Sequence, residues 1–187
     1  TALMLATICM HSINAAVGTD CSGGGVCGTN EACVSDACTC SAGAHDTDGD
    51  LACNACASGY FKGNTGTAAC TQVTAGYYAV NGAGTAVNSA ATAQAGCASG
   101  YYSAAGSTVC AQAVAGYYTT DGSGTATDGA GAAAQEACPS GRYSGSAGTT
   151  LCTLVTAGYY AVSTVGGSTS TDSAAKGQRA CTSGRYS

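Results

Sequence analysis

Cysteine is the residue type with the most chemistry to offer in this chain. Fourteen of its 187 residues are cysteine, and thiols in that number either oxidise to cross-links or hold a metal as thiolates. The spacings favour cross-links. A zinc site would need paired Cys-x2-Cys or Cys-x2-Cys with His at a short interval, and the only histidines are His11 and His45. A disulfide framework implies an oxidising, extracellular or secreted setting. No other chemistry competes. There is no Gly-x-Ser-x-Gly, His-Glu-x-x-His or phosphate-binding Gly-Lys-Ser/Thr, and His45 sits in a small cysteine-bounded loop with no plausible serine or free cysteine partner to activate. No catalytic residue and no cofactor are therefore expected, and the chain is read as not an enzyme.

The elements that position these cysteines cannot rest on a large core. Leu, Ile, Val and Phe together number only 19, far below the usage of a conventional globular domain. Disorder of that composition usually comes with high charge, whereas 8% of residues are charged and the net charge is −5. Cross-links must supply the order. A bridge that closes a loop of about 15 residues stabilises by roughly 3 kcal/mol, by restricting the unfolded chain. Five scattered Lys and Arg argue against a nucleic-acid partner. No apolar run reaches the length needed to span a bilayer.

The chain divides by pattern. Residues 1–20 open with "TALMLATICMHSINAAVG", which has the apolar stretch and small-residue end of a secretion signal but lacks an initiator Met and a basic n-region. It is read as an apolar assembly strand, retained and buried against a neighbouring subunit, with a signal remnant as the alternative. Residues 21–55 hold six cysteines spaced C-x5-C-x5-C-x4-C-x-C-x12-C, ending at Cys53. The Cys38-x-Cys40 pair cannot bond to itself on an extended strand, so each needs a distant partner. This spacing resembles an EGF-like domain. The resemblance implies the pairs Cys21–Cys33, Cys27–Cys38 and Cys40–Cys53. Gly43 matches the family, and Ala44 stands where an aromatic is usual. Within the last loop, "DTDGD" offers Asp46, Asp48 and Asp50 as calcium candidates. An Asp-Gly turn is the preferred reading, so no metal is expected.

From Cys56 the chain is periodic. The glycines of a Gly-aromatic element fall at Gly59, Gly76, Gly100, Gly116, Gly141, Gly158 and Gly184, so the full period is 41, 41 and 43 residues. Repeats span 56–96, 97–137 and 138–180, with 181–187 opening a fourth. The pattern resembles the ephrin-receptor-like cysteine-rich repeat. Cys53-Asn-Ala-Cys56 and Cys138-Pro-Ser-Gly141 keep its signature. Elsewhere cysteines are missing in twos: Val73 with Gln94, Ala113 with Gln135, Val155 with Gln178. Loss in twos implies that those positions would have been bonded to each other. By the repeat's own symmetry the retained bridges are Cys56–Cys70, Cys97–Cys110 and Cys138–Cys152. Closed and open half-units thus alternate, and the open ones are expected to depend on stacking against closed neighbours.

Each Gly-Tyr-Tyr suits a short strand. A small disulfide-rich fold follows, mostly β and irregular: an EGF-like module and an elongated array of short hairpins, with little helix. Adjacent tyrosines point to opposite faces. Of Tyr77 and Tyr78, Tyr101 and Tyr102, Tyr117 and Tyr118, and Tyr159 and Tyr160, one of each pair is expected to pack along the stack. The other should face outward or toward a partner.

Two cysteines have no place in this scheme, Cys9 and Cys181. They could bond beyond the segment, to another subunit, or to each other head to tail, and a head-to-tail contact that does not close makes a filament. The expected function is an extracellular structural protein, part of a surface filament or coat that self-associates. Tandem modules of this Ala/Gly/Thr-rich kind resemble cell-surface and flagellar-hair (mastigoneme-type) proteins of algae and protists. The alternative is a ligand-binding or adhesive receptor ectodomain with the repeats as spacer. No Asn-x-Ser/Thr sequon occurs, while "STVGGSTSTDS" could carry O-glycans.

Overall fold

The computed structural model describes residues 27–35, 37–46, 52–167 and 169–182. Among these there is no helix, and sixteen short strands pair as eight separate antiparallel hairpins. The fold is small, disulfide-rich and mostly β. The first hairpin joins β1 (Glu31–Val34) to β2 (Ala37–Cys40), and the second joins β3 (Ala44–His45) to β4 (Asn54–Ala55).

Two hairpin types alternate from there. The closed half-units have ladders of two residue pairs: β5 (Tyr60–Phe61) with β6 (Thr71–Gln72), β9 (Tyr101–Tyr102) with β10 (Ala111–Gln112), and β13 (Arg142–Tyr143) with β14 (Thr153–Leu154). The open half-units have ladders of four: β7 (Tyr77–Val80) with β8 (Ala93–Gly96), β11 (Tyr117–Thr120) with β12 (Ala134–Ala137), and β15 (Tyr159–Val162) with β16 (Gly177–Ala180). Each open hairpin adds an antiparallel bridge at the end of its first strand: Val80 with Ala86, Thr120 with Ala126, Val162 with Ser170. Where the disulfide is missing, the backbone ladder is longer. Asn81 and Asp121 open the tight turns that the first two of these antiparallel pairings close, their amides donating to the Thr85 and Thr125 carbonyls at 2.9 and 3.0 Å. Their side-chain oxygens accept the amides two and four residues on. The Ser123 hydroxyl and amide hold the Asp121 carboxyl below its ordinary range.

One backbone bond sets the rhythm. The residue that begins each half-unit donates its amide to the carbonyl of the preceding unit's turn glycine. Cys56 donates to Gly43 at 2.7 Å, Val73 to Gly59 at 2.9 Å, Cys97 to Gly76 at 2.9 Å and Ala113 to Gly100 at 3.0 Å. Cys138 donates to Gly116, Val155 to Gly141 and Cys181 to Gly158, all at 2.8 Å. The series starts at Gly43, inside the segment that resembles an EGF-like domain. The hairpin closed by Cys40 and Cys53 therefore stacks on its successor as the later half-units do.

The interior is narrow and built of small side chains. Cys40, Ala44 and Cys53 form one cluster. Val73, Ala79 and Ala91 form another, with Phe61, Tyr77 and Val87 packed against it. Thr119 and Thr120 are fully buried. Many of the larger aliphatic side chains point outward instead, among them Val109, Leu151, Leu154 and Val165. A thin stack has room inside for Cys, Ala, Thr and Val only, so hairpins rest on one another through backbone rather than through a deep apolar layer. That contact demands glycine. Gly59 has a φ of +77°, and a methyl group there would stand 2.1 Å from the Gly106 carbonyl oxygen, two half-units on.

Candidate functional site

The cross-links and the surfaces between half-units are the parts of this molecule with something to do. Five bridges are seen among the described residues: Cys27–Cys38, Cys40–Cys53, Cys56–Cys70, Cys97–Cys110 and Cys138–Cys152. Their Cα atoms lie between 5.4 and 5.8 Å apart, the ordinary range for a bridge. Cys33 is also disulfide-bonded. Its expected partner Cys21, and Cys9, lie outside the described residues. Cys181 is free and half-buried.

The open half-units carry a feature that sequence reasoning missed. The register puts Gln94 opposite Ala79, two steps along from the Tyr77–Gly96 pair, where Cys70 stands in the closed unit relative to the Tyr60–Gln72 pair. Gln94 is more than a gap left by a cysteine. Its Oε1 accepts the Thr74 amide at 2.8 Å, and its Nε2 donates to the Thr74 hydroxyl at 3.4 Å. Gln135 accepts the Val114 amide at 2.8 Å. Gln178 accepts the Thr156 amide at 2.7 Å and donates to the Thr156 hydroxyl at 3.1 Å. A glutamine clasp thus stands in for each missing bridge, tying the second position of the pair to the residue that follows the first. The signal was present in the sequence: all three lost second cysteines are replaced by the same long amide, which a neutral filler would not require.

The first position of each pair is structural too. Val73 and Ala113 are fully buried, as are Cys56 and Cys138. Because Val73 and Gln94 stand where Cys56 and Cys70 stand in the closed half-unit, Val73→Cys with Gln94→Cys is expected to close a bridge spontaneously under oxidising conditions. The new bridge contributes about 3 kcal/mol, partly offset by the loss of clasp hydrogen bonds worth about 1 kcal/mol each. Non-reducing peptide mapping and a denaturant midpoint measure both parts; two free thiols at 73 and 94 would contradict the equivalence.

Lys62 occupies the position after the aromatic pair in the first closed half-unit. It is 8% exposed, and its Nζ donates to the carbonyls of Ala44, at 2.6 Å, and Gly66. Burial lowers its pKa from the ordinary lysine value. Ser103 holds the same place one repeat on and donates its hydroxyl to the Tyr77 carbonyl at 2.7 Å. Both side chains pin a closed half-unit to the hairpin before it.

In the first open half-unit the pair divides as expected, Tyr77 packing against the Val73 cluster and Tyr78 lining a groove, but exposure alone does not separate the members of the pairs. Tyr77, Tyr78, Tyr101, Tyr102, Tyr117, Tyr118 and Tyr160 are all half-buried, and Tyr159 is more exposed. In a ribbon this thin neither face is deep enough to hide a phenol ring. Tyr78, Tyr101 and Val109 line one shallow groove, and their counterparts Tyr118, Arg142 and Leu151 line another one repeat later.

Of the calcium candidates, Asp46 is nearly buried and its amide donates to the Thr67 carbonyl at 3.2 Å. Asp48 and Asp50 lie outside the described residues. Cys27, Glu31 and Cys38 come together closely, but the two sulfurs are bonded to each other. Only the Glu31 carboxylate is left, and it accepts the Gly28 amide at 2.8 Å. One carboxylate is too few ligands for a protein metal site.

No protein-family model matches the chain, and no curated protein matches it in sequence.

Proposed function

We propose that the chain is an extracellular structural protein, a subunit or segment of a surface filament or coat that associates with itself. The observation that carries this reading is the backbone bond repeated from Gly43 to Gly158. The fold is a series of small hairpins, each ordered by its neighbours, which is how a linear scaffold is built. The bridges fit an oxidising, extracellular or secreted setting, and no helix among the described residues is long and apolar enough to cross a membrane. On this reading the resemblance to EGF-like and ephrin-receptor-like modules reflects shared use as rigid spacers. No catalysis, cofactor or nucleic acid is involved, and O-glycans on the Ser/Thr-rich loop would face solvent.

Sedimentation velocity on the oxidised chain is expected to show association that grows with concentration. A monodisperse monomer at every concentration would sink the self-assembly reading. The two equivalent grooves, at Tyr78 and at Tyr118, favour the second reading, an adhesive or ligand-binding ectodomain. That reading predicts a monomer with a saturable partner.

A further inference from the structure

Tension along this chain would not pass through all of it. At Cys56 it crosses the bridge to Cys70, over a Cα separation of 5.8 Å, and the loop between the two carries none. The same short cut runs from Cys97 to Cys110 and from Cys138 to Cys152, each over 5.7 Å. Every bridge spans 13 or 14 residues of sequence, and so withholds about 45 to 50 Å of chain at roughly 3.5 Å per residue. The stretches from Cys70 to Cys97 and from Cys110 to Cys138, 27 and 28 residues, have no covalent short cut. Drawn straight, each spans about 95 to 100 Å.

Those stretches hold the first two open half-units, and their hairpins are placed to unzip. The pull enters β7 beside Tyr77 and leaves β8 beside Gly96, and these residues face each other at one end of the ladder. Tyr117 and Ala137 stand likewise in β11 and β12. A ladder drawn apart from one end is loaded one pair at a time, because its bonds lie across the strands. Two bonds close the mouth of the first hairpin: the Cys97 amide on the Gly76 carbonyl at 2.9 Å, and the Thr74 amide on Gln94 Oε1 at 2.8 Å. In the second they are the Cys138 amide on Gly116 and the Val114 amide on Gln135, both at 2.8 Å. Gln94 and Gln135 hold the second position of a pair that is bridged in the closed half-units. Unlike a bridge, a clasp breaks without a chemical step and forms again unaided. The surface that receives it also persists. The Ser103 and Ser107 carbonyls, which take the Gly76 and Ala79 amides at 2.8 and 3.2 Å, lie in the loop closed by Cys97 and Cys110. A hairpin reforms in about 1–10 μs, here against a neighbour that tension cannot draw out.

We propose that the array is an extensible tether. The open half-units are reserves of length, let out under tension and taken back on release. The glutamine clasps are their latches, and the disulfides are the stops. This goes beyond the structural reading and rests on it in one respect, that the chain carries tension along its length. It gives the alternation of bridge and clasp a use. A chain bridged in every half-unit would have little length to give, and one without bridges would have neither a stop nor a folded neighbour to guide its return.

The test is optical-tweezers extension of the single oxidised full-length chain, with DNA handles on azide side chains introduced at the exposed positions Asn54 and Thr153. Two separate openings are expected, of 27 and 28 residues, both recovered on relaxation over repeated cycles. Gln94→Ala should speed one opening about fivefold or more at fixed force, since the clasp lies at the mouth, and leave the other as it was. Gln135→Ala should do the same to the second opening alone. Val73→Cys with Gln94→Cys should abolish the first opening and spare the second. No opening at all, one opening of the combined length, or loss of recovery with the bridges intact overturns the proposal. So does an opening rate unmoved by Gln94→Ala or by Gln135→Ala. If the double cysteine variant does not fold, the two glutamine variants decide alone. Failure of the self-assembly reading shows separately, as a monomer in sedimentation, because the tethered chain is pulled singly and needs no association.

Discussion

Replacing both Cys97 and Cys110 with alanine is expected to lower the stability of the array by about 3 kcal/mol. The two residues are 13 apart, and their bridge restricts the unfolded chain over that loop. Little else would hold the hairpin. Its ladder has two pairs, and it has no glutamine clasp. Its neighbours lean on it as well. Ser103 accepts the Gly76 amide and donates its own to the Ala132 carbonyl at 3.0 Å, so loss of the closed half-unit unseats open hairpins on both sides. By contrast, Gln135→Ala in the next hairpin removes one clasp and should cost about 1 kcal/mol, because four ladder pairs remain. Denaturant titration followed by intrinsic tyrosine fluorescence separates the two. Equal midpoints for the bridge variant and the parent would show that stacking, not the bridge, orders the closed hairpins.

That contrast marks what the sequence made legible. The bridges between Cys56 and Cys70, Cys97 and Cys110, and Cys138 and Cys152 follow from internal symmetry, because a cysteine pair lost together points to two sites that touch. The absence of helix among the described residues follows from the short Gly-Tyr-Tyr elements and the scarcity of aliphatic residues. The glutamine clasps were harder to read. A glutamine two residues from the end of a strand says nothing by itself. Its role depends on register across the hairpin, which brings Gln94 to the Thr74 amide from 20 positions away. The tyrosines were legible only in part, Tyr77 packing inward and Tyr78 lining a groove while both stay half-buried. Alternation along a strand predicts one buried and one exposed ring only where a sheet has a deep face, and these two-stranded ribbons have none. The contact of each half-unit with the one two places on was not legible either. It runs through backbone atoms, which leave no pattern in residue type except a glycine that the turn would have required anyway.

Gly100 and Gly141 allow that last contact to be weighed directly. Both sit at the same turn of a closed half-unit, and both have a φ of +75°. Alanine at either place therefore carries the same intrinsic cost of a left-handed backbone, about 1–2 kcal/mol. The surroundings differ. At Gly100 the new methyl would stand 2.2 Å from the Gly148 carbonyl oxygen, and the atom in the way is backbone. Gly148 is also held by its own amide, which donates to the Ala113 carbonyl at 2.7 Å, and by the Cys138–Cys152 bridge around it. If it moves, it gives up that bond and disturbs the Thr119 amide on the Thr149 carbonyl, at about 1 kcal/mol each. Gly100→Ala is expected to be the more destabilising of the two by about 2 kcal/mol or more, with fast hydrogen exchange appearing at Gly148 and Thr119. Gly141→Ala should cost only the turn strain and leave those amides protected. Equal losses for the two variants would mean that the half-units do not bear on one another across the gap. The array would then be a string of independent hairpins rather than a stack.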